Sequence, residues 1–143
     1  MRRRRALNVG DSAPSDELVI EIELDNRSGL SVDDGAITAL CRRVLAAEGI
    51  EAGDLGIALV PSDEIAALKR DHLGIDEATD VLSFPIDGKD ALPPSVPRQL
   101  GDVVLCPQVV GEAWRAPLVH GLLHLLGYDH GDEMAQREAK LLP

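Results

Sequence analysis

From Leu18 to Leu24 apolar and acidic residues alternate (Leu-Val-Ile-Glu-Ile-Glu-Leu), the period-two pattern of a strand with one exposed face. Asn26-Arg-Ser-Gly29 has turn chemistry. From about Asp33 to Glu48 the residues Ile37, Leu40, Cys41, Val44 and Leu45 recur at helical spacing, and Gly49 closes the segment. Leu55 to Val60 reads as a buried strand. Ser62 can cap a second helix whose first turn holds Asp63 and Glu64, favourable against the macrodipole, and which ends near Gly74. Val81-Leu-Ser-Phe84 is a short strand stopped by Pro85, and residues 86–100 have loop composition. Asp102 to Cys106 is another buried strand, again stopped by proline. Pro117 suits the first turn of the next helix, and Asp132 can cap a last one running to Leu141. Strands interleaved with helices predict an α+β domain, with α/β as the alternative reading of the same alternation. The expected architecture is a small mixed four-stranded sheet packed with about five helices.

Composition bounds this picture. The 143 residues, 45% hydrophobic, supply one core, and with aromatics at only 2% it must be built from Leu, Val, Ile and Ala. Residues 1–16, rich in Arg, Ser, Asp and Pro, read as a disordered N-terminal tail, and 17–143 as a single domain. Met1-Arg-Arg-Arg-Arg5 resembles the basic start of a signal peptide, but no apolar stretch follows it, and no run is long enough to span a membrane. Two distant cysteines offer no disulfide framework, which fits the cytoplasm. A formal charge of −11 argues against broad electrostatic binding of nucleic acid, though not against a nucleic-acid enzyme, because a bound dication dominates the charge of its own pocket. The sequence sets no oligomeric state.

The segment His120-Gly-Leu-Leu-His124-Leu-Leu-Gly127-Tyr-Asp-His130 changes the picture most, because three of the four histidines fall inside it. His120 and His124 are i and i+4, so on a helix they lie one turn apart on the same face. Gly127 accepts the left-handed conformation that ends the helix, which lets the chain fold back and bring His130 to the same point. The predicted metal site thus lies at the end of a C-terminal helix. Chance predicts about 0.003 such spacings in a chain of this composition. Three imidazoles with a fourth position left for water form a catalytic zinc site, which lowers the pKa of the bound water and polarises a carbonyl or phosphoryl oxygen. Nickel, cobalt or copper would also suit three imidazoles. A structural site would recruit a fourth protein ligand, for which Cys41 and Cys106 are the cysteines at hand, though neither lies in a ligand-spaced pair.

Hydrolysis follows as the reaction class. The spacing overlaps the metzincin protease pattern H-E-x-x-H-x-x-G-x-x-H at all three histidines and at Gly127, but Gly121 stands where a protease carries its general-base Glu.

The whole segment more closely resembles the motif of the YbeY family, metal-dependent endoribonucleases of bacterial ribosomal RNA maturation. Thr79-Asp-Val-Leu-Ser-Phe-Pro85 and Leu100-Gly-Asp-Val-Val-Leu-Cys106 resemble two further family blocks, in the family's order. The resemblance extends loosely from about residue 18 to the end. It implies a zinc-binding hydrolase of single-stranded RNA, with His120, His124 and His130 as metal ligands. A role in small-subunit rRNA processing and ribosome quality control is also implied, with the small ribosomal subunit and a ribosome-associated GTPase as partners. The family commonly carries an arginine six residues before Thr79. Leu73 stands there, and Arg70, one helical turn earlier, is either its substitute or an ordinary solvated residue. Only 13 residues separate Cys106 from His120, shorter than the family usually shows.

The roles of other polar residues are less determined. Asp102 either orients a ligand or water, faces a protein partner, or satisfies strand-end amides. Asp129 is an acceptor for an imidazole N–H or a turn residue. Ser83 and Thr79 line a phosphate-binding edge or serve strand and turn, and His72 is read as a surface histidine. Two alternatives to the ribonuclease stay open: a metallohydrolase of a peptide or small amide, and a non-catalytic, zinc-stabilised ribosome-assembly factor.

Overall fold

The computed structural model describes residues 19–73 and 80–142, apart from the Leu73 side chain. The expected N-terminal tail and Thr79 lie outside the described residues. The elements run β1 (Ile20–Asn26), α1 (Asp34–Ala47), β2 (Gly53–Leu59), α2 (Ser62–Leu73), β3 (Val81–Pro85), β4 (Gln99–Leu105), α3 (Pro107–Val110), α4 (Arg115–Leu125) and α5 (Asp132–Leu141), with one 3-10 turn, Gly111–Ala113, before α4. The sheet has the order β1-β2-β4-β3. β1, β2 and β4 are parallel, and β3 runs antiparallel to β4 at the edge. This is the mixed four-stranded α+β fold that the alternation predicts. Among the described residues no helix is long and apolar enough to cross a membrane.

Strand alternation divides the core between the two faces of the sheet. Val103 and Leu105 of β4 join Leu55, Ile57 and Leu59 of β2 in a cluster with the inward residues of α1, α4 and α5. Val104 and Cys106 face the other way, where Ile65 and Leu68 of α2 meet Leu82 and Phe84 of β3. α4 is the central helix: Leu118, Val119, Gly121, Leu122, Leu123 and Leu125 are all buried, and it packs on β3, β4, α1 and α5. A helix covered on nearly every side needs no amphipathic stripe. His120 and His124 occupy its one open side.

Some boundaries differ from the sequence pattern. β4 begins at Gln99, inside the stretch with loop composition, because Asp87 ties the loop's ends together. Its amide donates to the Gln99 carbonyl at 2.8 Å and its carboxylate accepts from the Gln99 amide at 2.7 Å. The β2–β4 register then slips by one residue, from Asp54 opposite Gln99 to Leu55 opposite Gly101, which breaks the alternation that would mark the strand. Asp132 does not cap α5 but is its first residue; the cap position is Gly131, with no side-chain bond, and Asp132 and Glu133 in the first turn interact favourably with the helix dipole.

Among the described residues Glu48 is the buried charged side chain, 7% exposed. It caps the C-terminus of α1, where a carboxylate opposes the dipole, so its partners must compensate. The Tyr128 hydroxyl donates to Oε1 at 2.7 Å, and Arg137 of α5 donates to Oε2 from Nε at 2.8 Å and from Nη2. Burial alone would raise the Glu48 pKa, but these bonds outweigh it and hold the carboxyl below its usual range.

Two predictions follow from this packing. A Cβ on Gly101 would meet the Phe84 carbonyl oxygen at 2.4 Å and Leu125 Cδ1 at 2.8 Å, at a φ of +129°. Gly101→Ala therefore costs about 3 kcal/mol, read by urea denaturation. Glu48→Gln lowers stability at neutral pH because it removes the buried charge that Arg137 and Lys89 pair with. A depressed carboxyl pKa stabilises the fold above the ordinary value of 4.5 and ceases to do so as the pH falls through the folded value. The stability gap between wild type and Glu48→Gln therefore narrows as the pH is lowered below 4.5, measured by denaturant melts across pH.

Candidate metal centre

His120 and His124 project from one face of α4, one turn apart, as i,i+4 geometry requires. The helix ends at Leu126, the chain turns at Gly127, and the Tyr128 amide folds back to donate to the Leu123 carbonyl at 3.0 Å. That return brings His130 over the same face. His124 Nε2 lies 3.1 Å from His120 Nε2 and 3.2 Å from His130 Nε2. One ligand atom from each ring falls within 4.8 Å of the others, so the group could hold a metal ion. An ion bound tetrahedrally at about 2.05 Å would keep its nitrogens about 3.3 Å apart, close to the spacing seen.

The other ring nitrogens explain why three Nε2 atoms can face one another. His120 Nδ1 lies 2.6 Å from Oε2 of Glu138 on α5, and His124 Nδ1 lies 2.9 Å from the Tyr128 carbonyl. An ionised carboxylate and a carbonyl only accept, so each Nδ1 is the donor and carries the proton. In the neutral rings that a metal requires, both Nε2 atoms then present lone pairs, which repel at 3.1 Å unless a cation lies between them. Burial holds His124 below its ordinary pKa, aided by the neighbouring His120 and His130 and against the raising effect of the Tyr128 carbonyl. That favours the neutral ring a metal requires.

The histidines open onto a cleft of about 850 Å³ whose far wall is the edge strand β3 with Asp80 before it. Ser83 lines that wall, and its hydroxyl donates to the Gly121 carbonyl at 2.7 Å, pinning α4 to the strand. At that crossing a Cβ on residue 121 would meet Val81 Cγ2 at 2.8 Å and Val103 Cγ1 at 3.0 Å. Gly121 is therefore a packing requirement, and the position cannot supply a general-base Glu. Among the described lining residues the ionisable groups are the histidines, Tyr128, Asp80, Asp129 and Glu138, with no lysine or arginine.

Several expected residues stand elsewhere. Asp102 is exposed on β4, and since Val103 beside it faces α4, alternation turns Asp102 to the opposite face of the sheet, away from the histidines. Arg70 is half exposed on α2, 3.7 Å from Asp71, and does not line the cleft. Asp129 is exposed at the cleft mouth and takes no imidazole hydrogen bond; Glu138 and the Tyr128 carbonyl take them instead. Cys41 and Cys106 are buried on opposite faces of the sheet, and burial pushes the Cys41 thiol up to about 12, so neither completes the ligand set. His72 is a surface residue with its ring edge on Phe84.

The residues missed from sequence are Glu138, Arg137, Tyr128 and Glu48. Their signal was present: α5 turns Met134, Arg137, Glu138 and Leu141 inward, and two charges on such a stripe require partners.

Comparison with known proteins agrees with this geometry. A family model described as Endoribonuclease YbeY matches residues 23–142. A Salinispora tropica protein named Endoribonuclease YbeY is 38% identical over 139 residues, spanning 83% of this chain and 88% of its own. An Acidothermus cellulolyticus protein of the same name is 40% identical over 136 residues, spanning 82% and 83%. The solution structure of TM1509 from Thermotoga maritima superposes with a TM-score of 0.52 at 26% identity, covering 86% of each chain. The chain belongs to the YbeY endoribonuclease family.

Proposed function

We propose that this protein is a zinc-dependent endoribonuclease that cuts single-stranded RNA in the cytoplasm. Its place is in small-subunit rRNA maturation and ribosome quality control, with the small ribosomal subunit and a ribosome-associated GTPase as partners. The observation that carries the reading is the convergence of three Nε2 atoms, two with their Nδ1 protons already committed, at the floor of an open cleft in a chain of this family.

In this proposal His120, His124 and His130 hold the metal through Nε2. Glu138 and the Tyr128 carbonyl keep two of the rings in the correct tautomer and orientation. A zinc ion held there supplies Lewis acidity toward a phosphodiester oxygen and toward water. The protein's own contribution is charge placement: with no lysine or arginine among the described lining residues, an anionic backbone has the ion as its attractor, between walls that carry Asp80 and Asp129. Phosphodiester cleavage needs charge neutralisation more than a side-chain base, which suits a site where Gly121 excludes Glu. The same exclusion disfavours a peptidase, and the open cleft beside three ligands disfavours a purely structural zinc. Asp102, exposed on the opposite face, suits a contact with a protein partner, and Arg70 a solvated position on α2.

Cleavage of a labelled single-stranded RNA by the metal-loaded, chelated and His124→Ala proteins tests the proposal. Cutting is expected to fall by about 100-fold or more in both depleted forms, while equal cutting by all three would overturn it. Glu138→Ala should lower zinc affinity by about 10–100-fold, read by competition with a chelator, because it releases the His120 ring.

A further inference from the structure

We infer that Glu48 is a positioning residue for the metal centre, holding from outside the cleft the two groups that orient His120 and His124. The inference rests on the metal-binding reading above and extends it inward. Glu48 lies 90 residues before Glu138 in sequence and is not in the cleft, yet both orienting groups run back to it. One route is Tyr128: its carbonyl accepts from His124 Nδ1 while its phenol donates to Glu48 Oε1. The other is Arg137, bound through Nε and Nη2 to Glu48 Oε2 and adjacent in α5 to Glu138, the acceptor for His120 Nδ1. Lys89 closes the ring, 3.6 Å from Glu48 Oε1 and 6.0 Å from the centre of the Tyr128 ring.

The chemistry of the position supports this role over ordinary packing. The Glu48 side chain is 2% exposed, at the end of α1 where its charge opposes the dipole. An apolar residue there would continue the stripe of Ile37, Leu40, Cys41, Val44 and Leu45 without any buried charge. What the carboxylate adds is direction. It fixes the phenol and the guanidinium at the same time, and it neutralises Arg137, whose positive charge would otherwise stand uncompensated one residue from the group that orients His120.

Arg43 provides the contrast. It also ties α1 to α5, through the Leu141 carbonyl, but it bonds neither Tyr128 nor the Arg137–Glu138 pair. A merely structural role for Glu48 would make the two ties equivalent.

The test is cobalt titration of the full-length apo-protein, following the ligand-field spectrum and the affinity, beside denaturant melts of the same samples. Wild type, Glu48→Gln, Tyr128→Phe and Arg43→Gln are compared. Glu48→Gln should weaken cobalt binding about tenfold and alter the spectrum. Tyr128→Phe, which removes only a hydroxyl and keeps the carbonyl, should shift both in the same direction by less. Arg43→Gln should lower stability while leaving affinity and spectrum at wild-type values. If Glu48→Gln does not fold, Tyr128→Phe against Arg43→Gln decides. Wild-type affinity and spectrum in Tyr128→Phe and Glu48→Gln would overturn the inference and leave the metal site standing, as would equal losses in Arg43→Gln. Failure of wild type to bind cobalt would instead remove the metal-binding reading itself.

Discussion

His120 and His124 have their Nδ1 protons committed to Glu138 and to the Tyr128 carbonyl, and as the neutral rings that bind a metal they direct Nε2 lone pairs at each other across 3.1 Å. Like-signed electron density at that separation is unfavourable without a positive charge between, and a cation in the gap turns the repulsion into coordination. Much of the surrounding architecture serves to hold these rings still. Gly121 lets α4 approach β3 and β4 closely enough to bury Leu118, Val119, Leu122, Leu123 and Leu125, and Ser83 fastens the crossing. The turn at Gly127 returns the chain so that a carbonyl and a third imidazole arrive on the same side.

A second consequence concerns charge. The chain carries a formal −11, and the described lining of the cleft holds carboxylates but no lysine or arginine. A nuclease with such a surface gains little from general electrostatic attraction to RNA. On the proposed function, attraction would be concentrated at the metal centre, which would make it both the means of recognising a phosphodiester and the means of activating it. Glu48 fits the same economy of charge, since its buried carboxylate is paired with the partly exposed Arg137.

The histidine triad was legible because its geometry is local: i,i+4 spacing and a helix-ending glycine suffice to converge two rings and return a third. The mixed sheet and its helices were legible for the same reason, since each strand and helix carried its own period. The start of β4 was not, because the register slip at Leu100 and Gly101 interrupts the alternation. The orienting groups were hidden for a different cause. Glu138, Arg137 and Glu48 act through the packing of α5 against α1 and α4, which no local window contains, although charges on inward stripes announced that partners existed. Asp102 shows the reverse: a polar residue in a family-like block drew attention as a site candidate, while strand parity turned it to the other face of the sheet.

The most direct test of the account is X-ray absorption spectroscopy at the edge of whichever divalent metal the purified protein carries, joined to the anomalous map of its crystal. The account predicts one ion per chain, about 2.0–2.1 Å from Nε2 of His120, His124 and His130, with light-atom scattering alone in the first shell. Sulfur in that shell, ligation through Nδ1, or an ion bound away from the three histidines would contradict it.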